Sequence, residues 1–273
     1  MNHEAYRQYL RYKHLLGYRE QVRALAVIYG VSVSIIEEWL WEQEQAQAAI
    51  SFVAAGTQGS ASSGNITPGL PSGWAADDIH VCLIGSADNV NSTMPAGWTA
   101  WDAGTNNTSA LRTTVFWRRA VAGDTDPLIT HTAGGTIKGV IAGYRGCITS
   151  GDPADVLGAT TVNASSTTMT FSSGGITTIA DNDMVVELAV AGGNITSSTY
   201  TGSPTPTERF DTGGQVIAEF SVTPPGGTGS RASTISAAKL NNGYLVALKP
   251  PSATLIPNKI FRLNQAVNRA GTY

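Results

Sequence analysis

The strongest constraint on this chain is a period-two alternation of apolar and polar residues that opens at Ile79 and recurs almost to its end. The run Ile79-His80-Val81-Cys82-Leu83-Ile84 leads into a polar loop closing with Met94-Pro95-Ala96-Gly97-Trp98-Thr99, and strand-like runs follow at 113–117 and 137–147. Alternation between Gly, Pro and Asn punctuation describes strands with one buried face. The same grammar returns at 128–131, 160–162, 169–171, 184–190, 216–222, 234–237 and 244–248. Turn signals divide these runs: Gly134-Gly135, Gly174-Gly175, Gly192-Gly193-Asn194, Pro224-Pro225-Gly226-Gly227 and Asn241-Asn242-Gly243. Many short strands without intervening helical patterns predict a mainly β fold, a β-sandwich or jelly-roll-like domain over 74–250. No fixed-period internal repeat is visible.

Residues 1–49 break that grammar. Val22, Leu25, Ala26 and Tyr29 recur at three- and four-residue steps, Gly30 stops the run, and Ser34 with Glu37 has the capping-box spacing. A third helical stretch carries Ile35, Ile36, Trp39, Leu40 and Trp41. The expectation is a small three-helix anchor domain whose apolar residues exceed what so short a unit can bury alone. Trp39 and Trp41 would point about 200° apart on a helix, one inward and one toward a partner. Residues 50–73, rich in Ser, Gly and Pro, read as a linker with a possible edge strand at Phe52-Val53. Residues 251–273 form an extended basic C-terminal arm with Lys259, Arg262 and Arg269 and no acidic residue, while Leu255, Ile256, Ile260, Phe261 and Leu263 make it too apolar for a solvated tail. The predicted interface residues are Ile36, Trp39, Leu40, Trp41, Ile260, Phe261, Arg262 and Arg269, and oligomerisation would bury them.

Composition narrows the function classes. Charged residues make up only 14% of the chain, against roughly 25% in ordinary globular domains. Ser, Thr, Gly and Asn take their place, which suits turns and hydroxyl-lined strand faces. A net charge of −3 argues against a nucleic-acid surface, which needs a clustered basic patch. No apolar run approaches the ~20 residues of a membrane-spanning helix. The N-terminus lacks the basic-then-apolar order of a signal peptide, so synthesis in a cytoplasm without the usual export is expected. Cys82 and Cys147 lie in separate apolar runs, either as reduced core thiols, the preferred reading, or as a disulfide between neighbouring strands.

Few residues invite chemistry. None of His3, His14, His80 and His131 has metal-ligand spacing. The acidic pairs Asp77-Asp78, Asp124/Asp126, Asp152/Asp155 and Asp181/Asp183 all adjoin Gly, Pro or Asn and read as Asx turns. Their sharper alternative is a glycosidase-type carboxylate pair. Trp74, Trp98, Trp101 and Trp117 read as core or lid, with a sugar-stacking platform as the alternative. No nucleophile elbow or phosphate loop occurs. The expectation is therefore no enzyme, no cofactor and no metal.

Two resemblances add to this. Ala26, Gly30, Val31, Ser32, Ile36 and Trp39 resemble the packing and turn positions of a helix-turn-helix. Its base-reading positions would fall on Val33, Ser34, Glu37 and Glu38, and adjacent carboxylates oppose phosphate, so a helical anchor is expected and no specific nucleic acid. The order Pro95-Ala96-Gly97-Trp98-Thr99, Ala142-Gly143-Tyr144-Arg145-Gly146, Leu188 to Gly193 and the closing Asn268-Arg269-Ala270-Gly271-Thr272-Tyr273 resembles β-sandwich structural proteins of tailed bacteriophages. That resemblance implies a virion component without catalytic residues: an external tail, tail-fibre or capsid-decoration protein assembled in the host cytoplasm. It would be attached through its termini, homo-oligomeric and bound to other virion proteins. Carbohydrate binding at a host surface is the alternative, with a glycan depolymerase behind it.

Overall fold

The computed structural model describes residues 32–34, 49–132 and 134–251. Except for Ser32, Val33, Ser34, Ala49 and Pro251, the expected helical anchor and basic arm lie outside the described residues, and so do all eight predicted interface residues. The compact unit described here is Ala49–Pro250.

This unit is two antiparallel sheets. The first contains β1 (Ser51–Ala55), β2 (Gly59–Ala61), β3 (Ile79–Ser86), β4 (Thr99–Asn107), β5 (Leu111–Arg119) and β6 (Ile137–Arg145), in the order β1-β6-β3-β5-β4 with β2 also on β6. The second contains β7 (Ala154–Leu157), β8 (Thr161–Ser172), β9 (Asp183–Ala191), β10 (Ser197–Thr201), β11 (Thr207–Thr212), β12 (Gln215–Val222) and β13 (Arg231–Leu248). Its order is β10-β13-β9-β12-β11, with β7 and β8 also on β13. The expected mainly β sandwich is present. The chain finishes one sheet before starting the other, so the described strands do not alternate between sheets as those of a jelly roll do.

The two sheets repeat one topology. The path β6-β3-β5-β4 in the first matches β13-β9-β12-β11 in the second, and the registers agree. Ile79 lies opposite Tyr144 and Arg119, and Met184 opposite Leu248 and Ser221. β4 carries a bulge between Ala100 and Asp102, and β11 one between Glu208 and Phe210. Gly56 N–H donates to Ile141 O, and Gly158 N–H donates to Leu245 O at the matching step. Asp77 and Asn182, each just before its central strand, both have positive φ, 71° and 62°. The sequence hides this repeat because the shared positions need only apolar character or a turn, which many residues supply.

Alternation places the core. Ile79, Val81 and Leu83 of β3 meet Met184, Val186, Leu188 and Val190 of β9 in the layer between the sheets, with Val140, Tyr144, Ile217, Tyr244 and Val246 around them. The opposite faces are covered too. Ile66 and Ile129, joined by an isolated bridge, pack on Cys82, Ile84, Ile137 and Ile141. On the second sheet, Met169, Phe171 and Ile235 pack on Val185, Ala189, Val216 and Leu245.

The second cover is formed by β8 and the first half of β13, paired as a ribbon that doubles back over its own sheet. Gly243 pairs with Thr161 and Ala189, yet a Cβ there would stand 2.1 Å from Thr170 O. Only glycine lets the returning strand lie so close. Asn241-Asn242-Gly243, expected as a turn, is instead the interior of one 18-residue strand. The side chains of Asn241, Asn242, Asn107 and Asn163 donate to backbone carbonyls at the bend, Asn107 Nδ2 to Asn163 O at 2.6 Å and Asn242 Nδ2 to Thr105 O at 3.2 Å. The runs expected at 160–162 and 169–171 likewise merge into β8. Within the expected linker, 59–61 is strand β2.

Candidate functional site

The buried ionisable groups come first, because chemistry would start there. Glu187 on β9 and Arg231 on β13 are both buried, with Arg231 Nε donating to Glu187 Oε1 at 2.6 Å. Arg231 also donates to Pro204 O, and its guanidinium carbon lies 4.0 Å over the Phe220 ring. Burial raises the Glu187 carboxyl, and Arg231 opposes that rise. Arg145 donates to both oxygens of Asp78 at 2.9 and 2.7 Å. Arg118 grips Asp124, which holds that carboxyl below its usual range.

His131 is buried and joins three loops. Its Nε2 is 2.9 Å from Asp88 Oδ2, its Nδ1 is 3.2 Å from Ser92 Oγ, and its backbone N–H donates to Asn65 Oδ1. Asp88 also accepts from Ser86 Oγ, Val90 N–H and Gly135 N–H. Burial pushes its carboxyl up, but the bonds from His131, Val90 and Ser86 prevail and leave it lowered. The residue types match a hydrolase triad, but the nitrogens are exchanged, with Nδ1 rather than Nε2 facing the serine. The Ser92 hydroxyl belongs to a residue only 7% exposed. Its geometry is that of a loop clamp. Histidine spacing in the sequence carried no hint of it.

Three of the acidic residues flagged in the sequence act as local turn acceptors, as expected: Asp78 accepts from Ala75 N–H, Asp124 from Val121 N–H and Asp152 from Ala154 N–H. Asp126 and Asp155 instead tie distant segments, Asp126 accepting from Leu70 N–H and Asp155 from Ile179 and Ala180 N–H. Asp183 departs from that expectation. It begins β9, is fully buried, and neither carboxyl oxygen has a donor in bonding geometry. Burial first, then the neighbouring Asp155 carboxyl, pushes it up from 3.8 to about 8.

The four tryptophans of the sandwich do not form one platform. Trp101 stacks on Trp117 at 5.9 Å against the layer between the sheets. Trp98 packs on the covered face, where it and Trp74 flank His80 at 6.4 and 5.6 Å. Burial lowers the His80 imidazole to about 4. Cys82 and Cys147 are free and buried in different layers, and burial pushes the Cys147 thiol up to about 12.

One concavity lies outside these ties. A groove of about 600 Å³ opens where the matching ends of β3 and β9 meet, lined by Ser86, Lys138, Gly192, Gly193, Asn194 and Gly214 among others. It adjoins a second hollow of about 510 Å³ that shares Ser60, Lys138, Asn194 and Gly213. Lys138 Nζ donates to Asn194 Oδ1 and Gly213 O, both at 2.6 Å. Its ammonium is lowered by desolvation. Gln58 Nε2 donates to Gln215 Oε1, and Gln215 Nε2 to Leu83 O, fixing the groove wall to the sheet. The sequence marks Gly192-Gly193-Asn194 as a turn and gives no signal at Lys138, a single cation near the start of a largely apolar strand.

The described unit is thus a sandwich of two antiparallel sheets that repeat one topology, and its charged pairs tie strands and loops together. No protein-family model, no curated protein and no solved structure matches the chain.

Proposed function

We propose that this chain is a structural component of a tailed-bacteriophage particle, an external tail, fibre or capsid-decoration protein held to its neighbours through the flanks of the sandwich. The observation that carries this reading is that each of four charged pairs with at least one well-buried partner ties the fold together. Arg231–Glu187, Arg145–Asp78, Arg118–Asp124 and His131–Asp88 each join segments distant in sequence or close a loop. Such ties suit a body that must hold its shape within an assembly. The Gly-, Ser- and Thr-rich composition and the resemblance of its short motifs to those of phage sandwich proteins support the same reading.

Mass spectrometry of density-purified particles from a host carrying the gene is the test. The chain should be recovered in stoichiometric amount with the other virion proteins, and its absence from intact particles would overturn the proposal. Within it, removing residues 1–49 should leave particles that assemble without this chain, and Trp41→Ala should lower its occupancy.

A further inference from the structure

We infer that the groove around Lys138 is a binding site for a carboxylate-bearing saccharide. The inference does not depend on a virion location. The cation is the starting point. Among the described residues no carboxylate pairs with Lys138, and none lines the 600 Å³ groove. Its two hydrogen bonds go to neutral oxygens, so one N–H of the ammonium is uncommitted. The partly desolvated charge is therefore uncompensated, and an anion entering the groove would compensate it. One acidic residue, Asp211, lines the adjoining hollow, where its Oδ2 accepts from Ser197 N–H and its Oδ1 is buried without a donor.

The walls select the rest of the ligand. They offer the amide of Asn194, the hydroxyls of Ser60 and Thr136, and the backbone of two glycine-rich turns. These groups suit a ligand with many hydroxyls. No aromatic residue lines either hollow, so a large apolar side chain would find no stacking partner. A single cation matches one carboxylate per sugar, whereas a polyphosphate calls for several. The volume lies within the range of small-ligand sites. The tryptophans, split between two faces, leave this groove as the place for a sugar.

The full-length chain titrated with an oligogalacturonate, followed by calorimetry and by amide shifts of 192–194, provides the test. Saturable binding is expected, weakened by salt, with shifts confined to the groove and none from a neutral maltooligosaccharide of equal length. Lys138→Gln should lose affinity about tenfold or more, and Lys138→Arg should retain part of it. No oligogalacturonate binding, unchanged binding by Lys138→Gln, or shifts away from the groove would each overturn the inference. Equal affinity for an oligoglutamate would overturn its saccharide part. The shift map stands on the wild-type chain alone, so the test survives a variant that fails to fold.

Discussion

The two sheets share path, register and bulges, yet they solve the same local problems with different chemistry. At the bulge of the first sheet, Trp101 stacks on Trp117; at the matching positions of the second, Arg209 pairs with Glu219 at 2.7 Å. Asp78 at the entry to β3 is neutralised by Arg145, while its counterpart Asp183 faces another carboxyl, that of Asp155. The centre of the covered face on β3 is Cys82 among isoleucines, and its counterpart Glu187 is buried against Arg231. A fold set by strand pairing and an apolar interior therefore tolerates stack, ion pair or carboxyl pair at one position. Each choice must only leave the buried group with a partner or without charge.

The largest test of this comparison is Arg231→Met. It strands a buried carboxylate where the first sheet has only apolar neighbours, and should cost about 3–5 kcal/mol. Adding Glu187→Leu, which copies the first sheet's apolar solution, should recover most of that loss. Chemical denaturation of both variants checks it. A double variant as weak as the single one would show that the two covers are not interchangeable.

Asp183 comes next, through pH. Its folded value of about 8 lies above the 3.8 of a free carboxyl. The protonated group thus contributes stability that is complete below pH ~4 and is lost as pH rises through about 8. The wild-type urea midpoint should fall across that window by an amount that Asp183→Asn abolishes. The isosteric amide should equal or exceed the wild type at pH 8. An unchanged pH profile in Asp183→Asn would place the titration elsewhere.

The matched glycines give a smaller contrast. A Cβ at Gly243 meets the backbone of Thr170 and Phe171 at 2.1 and 2.4 Å, whereas at Gly139 it meets the end of the Ile66 side chain at 2.9 Å. Backbone cannot step aside as a methyl can. Gly243→Ala should cost about 3 kcal/mol and Gly139→Ala about 1 kcal/mol, read by thermal and urea unfolding. Equal losses would mean that the ribbon over the second sheet shifts as freely as the Ile66 side chain.

The smallest effect separates stack from ion pair. Trp101→Ala should cost about 1–2 kcal/mol near neutrality, from the lost ring stack and the indole N–H bond to Asp152 Oδ1. Arg209→Ala should cost about 2 kcal/mol near neutrality by orphaning Glu219. Burial already raises that carboxyl, and Arg209 opposes the rise. Without Arg209 the carboxyl should take up a proton as the pH falls, and the loss should shrink. A stability difference between the two variants that does not change with pH would refute the pairing.

The sequence by itself determined that this region is an antiparallel β body, and where its central strands run. A buried face imposes a period of two that Ile79-Val81-Leu83 and Met184-Val186-Leu188 display openly. It also marked Asp78, Asp124 and Asp152 as turn acceptors, since such a bond is made within three residues, whereas Asp126 and Asp155 reach N–H groups that only folding brings near. The tertiary structure alone decided the rest. The edge strands β4 and β11 escaped notice because half-exposed edges relax the alternation, as their burial patterns show. Asn241-Asn242-Gly243 reads as a turn until a returning ribbon occupies the space where a Cβ would be. The repeat of one sheet upon the other was invisible because it conserves register rather than residues. Lys138 became a candidate site only when two glycine-rich turns from the second sheet closed around it. Long-range proximity of this kind is created by folding, and no local pattern in the chain encodes it.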